Sequence, residues 1–95
     1  FFISKPQPSS EVIALAEGYA TAATIHMATG WPVFIAFDAG NLEPVAQFIR
    51  AKWPHAKIVI CADKDPSGVG QQKAEKAAIA VNACVVLPNF DEVAV

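Results

Sequence analysis

Lys57-Ile58-Val59-Ile60-Cys61-Ala62-Asp63-Lys64-Asp65-Pro66-Ser67-Gly68 is the stretch on which the fold turns. Its first half is an unbroken apolar run with no alternation of in and out. Such a run marks a strand covered on both faces, as in a parallel sheet between helices. The run closes on an acidic pair, and Gly68 lets the backbone turn sharply into Val69–Val81, which reads as a helix.

Three more runs of the same kind flank it. Val12–Ala16 ends at Glu17-Gly18, Val33–Phe37 closes on Asp38-Ala39-Gly40, and Cys84–Leu87 stops before Pro88. Between the first two lies an alanine-rich helical stretch, Tyr19–Thr29, stopped by Gly30. Between the next two, Asn41 is placed to cap a helix that tolerates Pro44 in its first turn. Leu42, Val45, Phe48 and Ile49 share one face of that helix, which must end by Pro54. The order is β-α-β-α-β-α-β. Strand and helix alternating in this way imply right-handed crossovers. The expected fold is an α/β class, three-layer α/β/α sandwich with a four-stranded parallel sheet. Residues 1–10, with two prolines and two serines between Pro6 and Ser10, read as an irregular lead-in, and residues 11–95 as one domain, a fragment of a longer protein.

Composition narrows the function. At 95 residues, 54% of them hydrophobic, the chain can build one core and no more. The net charge is −2, and the seven Lys and Arg residues are scattered singly rather than forming a basic stripe. A domain that gripped duplex DNA unaided would carry such a stripe, so attraction to any nucleic acid must come from bound cations or neighbouring domains. Cys61 and Cys84 belong to no CxxC pair and read as two buried free thiols of a reduced, cytoplasmic protein. No apolar run approaches a membrane span, and no membrane partner is expected.

Ligands of open parallel sheets bind beyond the carboxyl ends of the strands. Glu17, Asp38, Asp63 and Asp65 all fall there, whereas Glu11, Glu43, Glu75, Asp91 and Glu92 fall elsewhere. Residues two apart in an extended segment point the same way, so Asp63 and Asp65 face one site and Lys64 points away. Two carboxylates so close repel, and a divalent cation relieves the repulsion. Magnesium is held by one or two carboxylates with water and phosphate completing its shell. Gly18, Ser67 and Gly68 are the candidates for receiving phosphate on backbone N–H groups at helix starts. The plainer alternatives stand beside these readings: Asp65 or Ser67 as a helix cap, Asp63 as a solvated strand end, Glu17 as a charge at the start of the first helix. Asp38 is a possible extra acidic contributor, but a turn role within Asp38-Ala39-Gly40-Asn41 fits it better. His26 and His55 have no ligand partner at metal spacing. Trp31 and Trp53 flank turns and cover core edges. No GxSxG, dinucleotide or P-loop pattern is present.

Glu17-Gly18 after the first strand and Asp63-x-Asp65-x-x-Gly68 after the third resemble the toprim domain, over Val12 to about Pro88. Toprim domains are shared by bacterial-type primases, topoisomerases and some nucleases. The wording Ala16-Glu17-Gly18-Tyr19-Ala20-Thr21-Ala22 and Ala62-Asp63-Lys64-Asp65-Pro66-Ser67-Gly68 is similar to primases carried by plasmids and phages. The resemblance implies that Glu17 is the catalytic acid or base and that Asp63 and Asp65, with Glu17, hold Mg2+, for which Mn2+ can substitute. It implies a nucleotidyl transferase that uses nucleoside triphosphates to make RNA primers on single-stranded DNA. The template would be held through flanking domains, with a helicase as partner or fused domain, and the isolated module would be weakly active or inactive. Lys64 between the two aspartates departs from the small or neutral residue common there. Two rivals stay open: a toprim nuclease or topoisomerase fragment, the latter needing a catalytic tyrosine where only Tyr19 is present, and a non-catalytic flavodoxin-like or receiver-like module. For Glu17 to meet Asp63 and Asp65, the first and third strands must be neighbours, which requires the strand order 2-1-3-4.

Overall fold

The computed structural model describes residues 2–7, 9–63 and 67–87. The chain runs β1 (Phe2–Ile3), β2 (Val12–Ala16), α1 (Tyr19–Thr29), β3 (Val33–Ile35), a 3-10 turn (Ala39–Asn41), α2 (Leu42–Lys52), β4 (Lys57–Cys61), α3 (Val69–Val81) and β5 (Cys84–Val86). All three helices and all four apolar runs stand where the sequence puts them. The sheet order is β1-β3-β2-β4-β5. Its four parallel strands, counted alone, follow the expected 2-1-3-4, with Ala16 paired to Ile35 on one side and to Cys61 on the other. Among the described residues no helix is long and apolar enough to cross a membrane.

One strand was not expected. Residues 1–10 read as irregular, yet Phe2 and Ile3 pair antiparallel with Phe34 and Val33 along the open edge of β3. The Phe2 ring lies 5.6 Å from that of Phe34, so an apolar contact supports the pairing. Two residues are too few to show a period, and this strand is invisible to pattern reading.

Alternation along the strands divides the core. Ile13, Leu15, Phe34, Ile58 and Ile60 pack with Leu42, Ala46 and Ile49 of α2 and with Ala74, Ala77 and Val81 of α3. Ala14, Ala16, Val33, Ile35, Val59 and Cys61 pack on the other face with Ala22 and Ile25 of α1 and with Trp31. The sandwich therefore has two helices on one side and one on the other. Beside α1 the thinner side leaves a mostly apolar groove of about 370 Å³ lined in part by Cys61, Cys84 and Val86. The pairing of two buried thiols thus needs correction: Cys61 is buried, but Cys84 is exposed. β5 is the edge strand of the sheet on that side, and its residues are exposed or half-buried.

The start of α2 also differs from expectation. Asn41 makes no side-chain cap; its backbone (φ −92°, ψ −4°) is already nearly helical, and its Nδ2 donates to Ala36 O at 3.3 Å. Asp38 does the capping instead, its Oδ1 accepting from Gly40 N at 3.0 Å ahead of the 3-10 turn. At the amino end of the sheet, Arg50 closes the structure. Its Nε donates to Val81 O at 3.0 Å and its Nη1 to Ala56 O at 2.6 Å. A guanidinium placed there satisfies carbonyls at the ends of α2 and α3 that have no helical partner.

Candidate metal and phosphate site

The site grows out of the carboxyl ends of β2 and β4. These strands are paired in register, Ala16 opposite Cys61. Glu17 leaves one residue beyond that rung and Asp63 two residues beyond it, so residues far apart in sequence exit side by side. No strand separates them. The Glu17 backbone is fixed from the other side, its carbonyl accepting from Phe37 N at 2.7 Å.

Gly18 follows as the N-cap of α1, in extended backbone and with no side-chain cap. A Cβ placed on Gly18 would stand 3.9 Å from Asp63 Oδ2, so the Asp63 carboxylate lies against the start of α1. The other oxygen of Asp63, Oδ1, accepts from the Thr21 hydroxyl at 2.7 Å. Thr21 is the residue that reading by motif missed. Its signal is modest: a threonine in the first turn of an alanine-rich helix, four residues after Glu17.

The remaining expected residues divide. Gly68 does what its position requires, with φ at +77° in the left-handed region just before α3. The Ser67 hydroxyl accepts from Val69 N at 3.3 Å, a local turn bond ahead of α3, whose N-cap is Gly68. Asp38 follows β3, on the far side of β2 from β4, and one of its oxygens serves Gly40; it is a turn residue. Asp65, with Lys64, lies outside the described residues. His26 is half-buried and donates through Nδ1 to Trp31 O at 2.7 Å, while His55 is exposed. Trp53 covers a core edge and donates to Gln7 O at 3.0 Å.

Burial and the nearby Asp63 charge push the Cys61 thiol up to about 11, so it is a closed structural group rather than a ligand or nucleophile. Among the described residues no three His, Cys, Asp or Glu side chains gather closely enough to hold a metal ion. Glu17 and Asp63 are a two-carboxylate edge. That donor set fits magnesium, which takes one or two carboxylates and completes its shell with water and phosphate oxygens.

Four parallel strands in the order 2-1-3-4, with acidic residues following the two central ones, place the chain among open-sheet α/β sandwich domains. The model of the toprim domain matches residues 12–91, and the chain belongs to that family. It is 40% identical over 89 residues to a protein described as DNA primase TraC from Escherichia coli, an alignment covering 86% of this chain and 8% of that protein. A second Escherichia coli protein of the same description is 39% identical over 89 residues, 86% of this chain and 6% of the relative. The chain thus spans less than a tenth of the length of these relatives. No solved structure matches it significantly.

Proposed function

We propose that this chain is the toprim catalytic domain of a plasmid-type DNA primase, and that its acidic edge carries magnesium-dependent nucleotidyl transfer in the synthesis of RNA primers. One observation carries the reading: Glu17 and Asp63 leave neighbouring, in-register strands at the sheet edge, in a chain 40% identical to part of a DNA primase. In primer synthesis a 3′-hydroxyl attacks the α-phosphorus of a nucleoside triphosphate. The new P–O bond forms in line as the bond to pyrophosphate breaks, and the hydroxyl proton must go to a base.

Asp63 and Asp65 would hold the metal, with Glu17 either beside them as a third carboxylate or accepting the proton. Bound magnesium supplies charge neutralisation at the triphosphate and makes the attacking hydroxyl more acidic. Backbone N–H groups at Gly18 and at the Ser67-Gly68 turn are the groups of this chain suited to phosphate oxygens. Holding these groups on strand ends matters because the reacting atoms must be aligned to within a fraction of an ångström. The template is held elsewhere, since the chain carries a net charge of −2 and no basic stripe. Template DNA, a helicase and the cytoplasm as the site of action belong to the same proposal.

The test is Mn2+ binding followed by electron paramagnetic resonance in the wild-type chain, Asp63→Asn and Glu17→Gln. Binding should be weak in the wild type and fall about tenfold or more in Asp63→Asn. Equal affinity in all three would remove the metal site. In the full-length protein, both substitutions should abolish primer synthesis on single-stranded DNA; retained synthesis would remove the catalytic reading.

A further inference from the structure

Three threonines of α1 behave differently, and the difference points to a role. Thr24 Oγ1 donates to Ala20 O at 2.9 Å and Thr29 Oγ1 to Ile25 O at 2.7 Å. This back-bond to the carbonyl one turn earlier is the ordinary local solution for a helical hydroxyl. Thr21 stands in the first turn, where Gly18 ahead of the helix is extended and the Glu17 carbonyl accepts from Phe37 N. The Thr21 hydroxyl turns across the fold to Asp63 Oδ1, on a strand end 42 residues away, at 2.7 Å. Thr21 is 8% exposed and is the one buried polar residue among those described, so the bond is shielded from competing water.

We propose that Thr21 is a positioning residue that orients the Asp63 carboxylate for a divalent cation. The inference rests on the metal reading of Asp63 above. A carboxylate on a free χ2 rotor presents its oxygens over a wide range of directions. The hydroxyl fixes Oδ1, and Oδ2 is then held toward Gly18 at the start of α1. Each oxygen keeps a lone pair for a metal, since a carboxylate has about four acceptor sites and the threonine occupies one. Partners of this kind, one shell out from the metal, usually matter about 10- to 100-fold in metal affinity.

Wild type and three variants of the 95-residue chain decide it, as two pairs whose members differ in the hydroxyl. Thr21→Val keeps the shape of threonine, and Thr21→Ser keeps the donor against Thr21→Ala. Affinity for Mn2+ alone is read by electron paramagnetic resonance, with folding of each variant checked by circular dichroism. Wild type and Thr21→Ser should agree within about threefold, and Thr21→Val and Thr21→Ala should bind about 10- to 100-fold more weakly. If one member of a pair fails to fold, the other pair gives the answer. A purely structural tie would lower melting temperature without changing affinity in the folded variants, and that result overturns the proposal. Wild type no better than Asp63→Asn would instead remove the metal reading itself, and the role of Thr21 with it.

Discussion

Arg50 of α2 donates through Nε to Val81 O, the last carbonyl of α3, at 3.0 Å. The same guanidinium reaches Ala56 O at 2.6 Å and Pro54 O at 3.1 Å, so one side chain serves two helix ends and the entry to β4. Replacing it strands several part-buried carbonyls at once. Arg50→Ala should lower unfolding free energy by about 2–3 kcal/mol, and Arg50→Lys, a point charge without the planar fork, should recover less than half of that. Urea denaturation with an unchanged slope is the measurement, and Mn2+ affinity should not move, because Arg50 sits at the opposite end of the sheet.

Phe37 holds a left-handed backbone, φ +68°, just past β3, while 58% of the residue is exposed. A bulky side chain pays about 1–2 kcal/mol there, and the conformation is kept by the bond from its N–H to Glu17 O. Phe37→Gly should therefore be more stable than Phe37→Ala by about 1 kcal/mol, both variants having lost the same ring. Equal stabilities would show that the backbone at Phe37 carries no strain. The comparison is made by thermal unfolding.

The cysteines should separate cleanly by reactivity. A thiol reagent at pH 8 should label exposed Cys84 fast and Cys61 only as the fold opens, since Cys61 is buried and holds its proton to about pH 11. Mass spectrometry of partly labelled protein identifies the site. Prompt labelling of Cys61 would contradict its burial.

Cys61 also gives stability a pH dependence with a definite sign. Its value is raised in the folded chain from an ordinary 9.0 to about 11, so the folded state keeps a proton that the unfolded state gives up. The contribution is fully present below about pH 9 and is lost as pH rises through 11. Denaturation midpoints of wild type should drop more between those limits than midpoints of Cys61→Ala. Parallel curves would assign the alkaline loss to other groups.

Trp53 ties the lead-in to the core. Its Nε1–H donates to Gln7 O at 3.0 Å and its ring lies 5.9 Å from that of Phe34. Trp53→Phe keeps a ring but removes the donor, and should cost about 1 kcal/mol with faster amide exchange at Phe2 and Ile3. Unchanged exchange there would mean that β1 is held by its own pairing.

Much of this protein was settled by sequence alone. Unbroken apolar runs at Val12–Ala16 and Lys57–Cys61 specify strands buried on both faces, and the helices between them specify parallel pairing. With the rule that chemistry gathers at carboxyl ends of strands, this was enough to mark Glu17, Asp38, Asp63 and Asp65 as candidates. Those features are local: each is encoded by residues within a turn or a strand of one another. What only tertiary structure decided is non-local. Ala16 faces Cys61 across paired strands, Asp38 is drawn into its own turn, Cys84 is left uncovered on an edge strand, and two residues at the start find the open side of β3. Above all, the Thr21 hydroxyl donates to a carboxylate 42 residues away. A hydrogen bond of that reach depends on where two elements come to rest against each other, and no spacing along the chain records it.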